Sequence, residues 1–233
     1  VNEGLISTKL GLKGIPDISE SIIIFRDLMI AKQTKSKIHI PLVSTKQSID
    51  IIKEFQKKGV NVTAEVTPHH IALNEQAVLE YNTNAKVYPP LRSEKNRKEI
   101  IKGLKNNIIT CISSDHFPHS SEDKEKDIQH APFGTISLES AFSVSYTELN
   151  KNNFNITDVI KLFTSGPQKA LGINVDSISV GNQAKLAIID PKKTWTFKET
   201  DIYSKSKNSL ALGMKLSGRV DLTISGKNAF GHL

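Results

Sequence analysis

The residues best suited to chemistry stand in the run Asp115-His116-Phe117-Pro118-His119, directly after the apolar segment 108–114 (IITCISS). A carboxylate that closes a buried strand projects from the strand's C-terminal end, where barrel folds collect their reactive groups. There it can bind a divalent metal, or accept a proton from activated water and pass it to a leaving nitrogen. The plainer alternative is an aspartate that caps the next turn, followed by two surface histidines. Pro68-His69-His70 follows a second apolar segment, 61–67 (NVTAEVT). Adjacent side chains on extended backbone point opposite ways, so one or both of these imidazoles are expected to bond backbone groups rather than share one ion. In Pro89-Pro90-Leu91-Arg92 the guanidinium can present a fork to a carboxylate, or brace its loop through backbone carbonyls or an ion pair with Glu94 or Glu99; bracing is expected. In Ala131-Pro132-Phe133-Gly134 the glycine can let backbone approach a ligand, or simply form a turn.

These motifs need elements to hold them. Ile18, Ile22, Phe25 and Met29 recur at helical spacing and predict an amphipathic helix over 18–32 with that face inward. Segment 37–43 (KIHIPLV) reads as a short buried strand, and Ser44 or Thr45 can cap the helix that carries Ile49, Ile52 and Phe55 on one face and stops at Gly59. Segment 61–67 is the next strand. Residues 69–92 read as loop, with Pro89-Pro90 blocking regular structure, and Ser93 opens a helix through Ile100, Ile101 and Leu104. Segment 108–114 is a third strand, and the alternation of helix and strand is that of parallel α/β architecture. Beyond Gly172 the texture changes: 185–189 (KLAII) and 219–224 (RVDLTI) predict strands of a small β appendage, dividing the chain into 1–172 and 173–233. The opening through Gly4, Gly11, Gly14 and Pro16 reads as a loop already in progress, so the chain is expected to be a fragment.

Composition narrows the function. A single cysteine, Cys111, excludes an internal disulfide and a cysteine-based zinc knuckle, so any metal is expected to use histidine and carboxylate. The net charge of +7 is spread thinly in pairs such as Lys57-Lys58 and Lys192-Lys193, with no basic run interleaved with aromatics, which argues against nucleic acid. No apolar stretch approaches the ~20 residues of a membrane helix. Without a basic-then-apolar N-terminal pattern either, the expected location is cytoplasmic.

Taken together and in order, Ala64-Glu65-Val66-Thr67-Pro68-His69-His70, Pro89-Pro90-Leu91-Arg92-Ser93, Ser114-Asp115-His116-Phe117-Pro118-His119 and Ala131-Pro132-Phe133-Gly134 with Leu138-Glu139 resemble the type I dihydroorotases of the amidohydrolase superfamily. Gly11-Leu12-Lys13-Gly14-Ile15-Pro16 with Glu20 and Arg26-Asp27, and Ser204-Lys205 with Asn208 and Gly213, extend the resemblance over essentially the whole chain. It implies strands six to eight of a (β/α)8 barrel plus part of a composite β domain, and a mononuclear or binuclear zinc site at the barrel mouth. In that family a metal-activated water opens the ring amide of dihydroorotate, and the reverse reaction closes N-carbamoyl-aspartate. The aspartate after strand eight ligates metal and shuttles the proton; Asp115 stands there. His119 matches the histidine that contacts the substrate carboxylate, and Phe133 and Gly134 match a substrate-contacting loop.

Two positions depart from the pattern. The family's His-x-x-His-Val-Ser-Thr, whose second histidine ligates metal, reads here His39-Ile40-Pro41-Leu42-Val43-Ser44-Thr45, and Tyr88 replaces an asparagine that helps hold substrate. His39, three residues from the ligand position, is expected to point to the opposite face. The remaining ligands, on strands one, four and five, would lie upstream of Val1. The resemblance therefore leaves three readings. The first is a dihydroorotase completed by a missing N-terminal half or another copy. The second is a non-catalytic dihydroorotase-like subunit that assembles with aspartate carbamoyltransferase, and the third is a related allantoinase or hydantoinase.

Overall fold

The structure, a computed structural model, describes residues 1–174 and 177–231. Helix α1 (Leu5–Leu10) occupies what reads in sequence as loop; six residues are too few to display a helical period. Helix α2 (Ile18–Thr34) forms where predicted but turns a different face inward. Ser21, Ile24, Leu28 and Ala31 are buried, while Ile18, Ile22, Phe25 and Met29 remain 48–57% exposed. Both sets obey the same spacing, because this helix is apolar almost all round, and only the neighbouring elements choose between them.

Strand β1 (Ile38–Ile40) leads to helix α3 (Lys46–Lys57), whose N-cap Thr45 accepts a hydrogen bond from the Ser48 N–H at 3.2 Å. Strand β2 (Val62–Val66) leads to the short helix α4 (Pro68–Ala72), so the loop expected from residue 69 begins with a helical turn. Two 3-10 segments, Glu75–Tyr81 and Thr83–Ala85, follow before helix α5 (Glu94–Lys105), capped by Ser93 as expected. Strand β3 (Cys111–Ile112) closes this part. The three strands form one parallel sheet in the order β1-β2-β3. Each is shorter than its apolar run. Pro41 has no N–H with which to continue β1, whereas the Thr110 N–H to Ala64 O (2.7 Å) and Ser113 N–H to Val66 O (3.0 Å) bonds carry the β3 pairing a residue past either end.

Registered partners in a sheet share a face, so the pairs Ile38↔Val62, Ile40↔Ala64 and Val66↔Ile112 build an apolar face. It packs on Ile24 and Leu28 of α2, Ile49, Ile52 and Phe55 of α3, and Ile100 and Leu104 of α5. The pairs His39↔Thr63 and Glu65↔Cys111 give the other face a polar character.

Helices α6 (Ser121–Lys124), α7 (Ala141–Lys151), α8 (Ile156–Phe163) and α9 (Ser165–Leu171) follow. The second sheet is antiparallel, β4 (Lys185–Thr196), β5 (Lys215–Ser225) and β6 (Asn228–Gly231), with Pro191 accommodated at an irregularity between Asp190 and Thr194. Phe197, Ile202, Ala211 and Leu216 pack with Ile136 and Val144 in a second core that joins this sheet to the α/β body.

Arg92 braces the chain, as expected, through a backbone carbonyl, and its ion pairs are with Asp17 and Glu20 in place of Glu94 or Glu99. The buried guanidinium donates to Ile15 O (2.6 Å), Asn2 Oδ1 (3.0 Å) and Ser44 Oγ (3.1 Å), and pairs with Asp17 at 3.2 Å. Its Nη2 lies 3.9 Å from Glu20, a mostly buried carboxylate that accepts the Ser44 and Thr45 N–H groups at the start of α3. Removing one member of such a network strands the other's charge away from water. Arg92→Met is therefore expected to cost about 3 kcal/mol, read as a lower denaturation midpoint; an unchanged midpoint would show that the network holds nothing together.

Candidate active site at the strand ends

Because the three strands run the same way, the residues that follow them gather at one edge: Leu42 after β1, His69 after β2 and Asp115 after β3. Leu42 (φ +49°) and Asp115 (φ +48°) both adopt left-handed backbone, which costs an L-residue about 1–2 kcal/mol. An aspartate can offset part of this with local hydrogen bonds; a leucine cannot. β1 ends at Ile40, and residues from both faces of this strand, Ile38, His39 and Ile40, line one cavity of about 340 Å³ together with Leu42, Ile23, Tyr88 and Pro89.

Asp115 Oδ2 lies 3.7 Å from His69 Nε2. Burial, and then the negative charge of Glu65, push the Asp115 carboxyl above its ordinary range. His69 is 4% exposed and neither ring nitrogen has a hydrogen-bond partner among the described residues. Burial drives its pKa well below the usual value, so the ring is neutral and the contact is not an ion pair. His70 behaves as expected of a backbone-bonding histidine. Its Nε2 lies 3.1 Å from Pro89 O and 3.3 Å from Pro90 O, and since carbonyls only accept, Nε2 carries the proton. Nδ1 meets Thr67 Oγ1 at 2.7 Å.

His119, Phe133 and Gly134 are brought into contact. His119 Nε2 donates to Phe133 O at 2.8 Å, which leaves Nδ1 for a ligand. A Cβ on Gly134 (φ +134°) would fall 2.7 Å from Phe117 Cβ and 2.9 Å from His119 Nε2, so the close approach this glycine permits is to the chain's own Asp-His-Phe-Pro-His loop. Asn208 locks the assembly from the C-terminal segment: its Oδ1 accepts the His119 N–H (3.3 Å) and its Nδ2 donates to Phe117 O (3.1 Å) and Gly134 O (3.4 Å). Buried Lys124 donates to Pro132 O (3.0 Å) and Gly134 O (2.9 Å), its pKa lowered to about 8 by burial and by Lys86. The Tyr88 ring stands edge-on to Phe133 at 5.5 Å between centroids, linking the Pro-Pro-Leu-Arg loop to the same cluster. Sequence reasoning missed Lys124 and the inward role of Glu65, although the alternation in Val62-Thr63-Ala64-Glu65-Val66 carries the signal for the latter.

Residues 19–227 match the Amidohydrolase family, and the chain belongs to it. Among curated relatives it is 47% identical to the dihydroorotase of Caldicellulosiruptor saccharolyticus over 225 residues, 96% of this chain and 52% of that protein. It is 41% identical to the dihydroorotase of Anaplasma phagocytophilum over 232 residues, 99% and 52% of the two chains. The chain thus spans about half the length of the curated relatives it matches. Among solved structures it resembles the L-hydantoinase (dihydropyrimidinase) of Arthrobacter aurescens, with a TM-score of 0.82 and 25% identity over 91% of this chain and 48% of that one. It also resembles the inactive dihydroorotase-like domain of the Chaetomium thermophilum CAD-like multifunctional protein, with a TM-score of 0.64 and 16% identity over 87% and 53%. The α/β fold is that of the amidohydrolase superfamily, and no helix among the described residues is long and apolar enough to cross a membrane.

Membership of this family implies a metal. Asp115 fits one: its carboxyl is held protonated-ward by burial and a neighbouring negative charge, a situation that a cation reverses. Leu42 does not, because its side chain has no donor atom, and a catalytic zinc takes three protein ligands and an open position.

His70 gives the site a pH signature. The fold keeps this ring neutral with a pKa lowered to about 4, while the unfolded chain takes up a proton below the ordinary 6.5. Stability from this residue is therefore complete above pH 6.5 and is lost as pH falls from there to about 4, about 3 kcal/mol over the window. Denaturation midpoints across that window are expected to fall less steeply in His70→Gln; an identical slope would mean that the ring is already charged in the fold.

Proposed function

We propose that the chain forms part of a dihydroorotase-type cyclic amide hydrolase, interconverting dihydroorotate and N-carbamoyl-aspartate in the cytoplasm with zinc as its metal. In this reading residues 1–172 supply strands six to eight of a (β/α)8 barrel and residues 173–233 part of a composite β domain. The open edges of the three-stranded sheet would be covered by the remaining strands, from further sequence or another copy, since unpaired strand edges are a liability. The observation that carries the reading is Asp115, a left-handed carboxylate at the end of β3 whose pKa is raised, beside a loop cluster that joins His119, Phe133 and Gly134.

Asp115 would be the metal ligand and proton shuttle. Bound there, zinc supplies Lewis acidity that makes water a nucleophile near neutral pH. From the end of β3 the same carboxylate could take a proton from water and return it to the leaving ring nitrogen. His119, anchored at Nε2, can donate to a substrate carboxylate from Nδ1 only as the doubly protonated ring, which also matches the ligand's charge. The Gly134 N–H is already given to Lys86 O at 2.8 Å, so Gly134 contributes the absence of a side chain and Phe133 an apolar wall.

Leu42 supports a second reading, a non-catalytic subunit that assembles with aspartate carbamoyltransferase; identities of 40–47% to dihydroorotases favour the first. Hydantoinase neighbours speak to the fold. In the whole protein, Asp115→Asn is expected to lower dihydroorotate hydrolysis by about a hundredfold or more without unfolding it, and Leu42→His to increase retained zinc. Undiminished hydrolysis in Asp115→Asn would sink the assignment. A protein without hydrolysis that co-purifies with the carbamoyltransferase would establish the second reading in its place.

A further inference from the structure

The polar face of the parallel sheet carries a group of side chains that the proposed reaction leaves unused. His39 from β1, Glu65 from β2 and Cys111 from β3 each offer a ligand atom, and these atoms all lie within 4.8 Å of one another. None of the three stands at a position where the resemblance puts a family metal ligand. We propose that His39 Nε2, a Glu65 carboxylate oxygen and Cys111 Sγ form a separate binding site for a zinc-class divalent cation.

The sheet itself makes the arrangement. Glu65 and Cys111 are registered partners on adjacent strands, and His39 pairs with Thr63, the residue two before Glu65 on the same face. Three rigid strands therefore each contribute one ligand, a more exact scaffold than loops provide. Around a tetrahedral zinc, with bonds of about 2.0–2.3 Å, ligand atoms stand about 3–4 Å apart. The His39 Nε2 to Glu65 Oε2 separation of 3.1 Å already meets that spacing, and the thiol needs to move by no more than about an ångström, within one side-chain adjustment.

Burial and the Glu65 charge push the Cys111 thiol up to about 12, so the thiolate forms only as the cation displaces its proton, whereas the surroundings of the imidazole favour an ion. His39 Nδ1 lies 2.8 Å from Thr63 Oγ1. When Nδ1–H donates to that hydroxyl, Nε2 presents its lone pair, the form that ligates metal, and the hydroxyl fixes the ring as second-shell partners do. In that tautomer two lone pairs, of Nε2 and of the Glu65 carboxylate, face each other at 3.1 Å, a contact that only a cation or a proton between them relieves. The competing arrangement has the Thr63 hydroxyl donating to Nδ1 and Nε2–H donating to Glu65. It satisfies the imidazole but leaves the buried thiol with only a 3.9 Å contact to Ala64 O. Imidazole, carboxylate and thiolate together suit zinc over magnesium or calcium. His39 and Glu65 keep 28% and 19% of their side chains exposed, leaving a fourth position open. In this proposal Cys111 adds a thiolate to the histidine and carboxylate that the sequence leads one to expect of a metal site.

The test uses cobalt(II) as the probe, added to the metal-free whole protein, and reads the near-ultraviolet charge-transfer band that only a cobalt-bound thiolate produces. The expected result is a band that saturates stoichiometrically and disappears in Cys111→Ser. Thr63→Val, which removes only the supporting hydroxyl, is expected to weaken cobalt binding by about 10–100-fold, with circular dichroism of the metal-free variants showing the fold intact. Asp115→Asn is expected to keep the band, so that failure of the dihydroorotase assignment leaves this site standing, and the reverse. The proposal is overturned if no thiolate band forms, if the band survives in Cys111→Ser, if Thr63→Val binds cobalt as the unsubstituted protein does, or if Asp115→Asn abolishes the band.

Discussion

Everything at this site depends on the parallel register of β1, β2 and β3. It turns Ile40, Val62, Ala64, Val66 and Ile112 toward the helices, where their burial supplies the main core, and it leaves His39, Thr63, Glu65 and Cys111 on the opposite face. A one-residue slip of β2 against both neighbours would exchange its two sets and place Glu65 in the apolar core. The same register delivers Leu42, His69 and Asp115 to one edge. The candidate site residues are thus positioned by backbone pairing that the hydrophobic core enforces, and not by contacts among themselves.

The loops beyond that edge are tied together by groups from distant parts of the chain. Asn208 reaches from the C-terminal segment to three peptide groups in the Asp-His-Phe-Pro-His and Ala-Pro-Phe-Gly loops, and Lys124 shares the Gly134 carbonyl with it and satisfies that of Pro132 as well. Arg92 does the same on the β1 side, joining the N-terminal residues to the start of α3. The β appendage therefore belongs to the architecture of the site, because the residue that locks His119 in place comes from it. Leu42 is the exception to this consistency. It carries the backbone strain of a left-handed ligand position without a ligand.

Much of this was legible in the sequence, and the reasons are local. Thr45 and Ser93 announce helix starts because a hydroxyl at the cap satisfies an N–H that the helix cannot. The three strands announce themselves as apolar runs, and the ordered motifs around Asp115 carry the family. What was hidden depends on tertiary choices. The buried face of α2 could not be selected from a helix apolar on nearly every side. The isolation of His69 and the inward charge of Glu65 are properties of surroundings, and a neighbour's absence leaves no mark in the local sequence.

The measurement that bears most directly on the assignment is a crystal structure of the whole protein with N-carbamoyl-aspartate bound. The ligand's carboxylate is expected against His119 Nδ1, with its reacting carbon beside the Asp115 carboxylate and Phe133 at its flank. Density for the ligand elsewhere, or an Asp115 side chain turned away from it, would contradict the account.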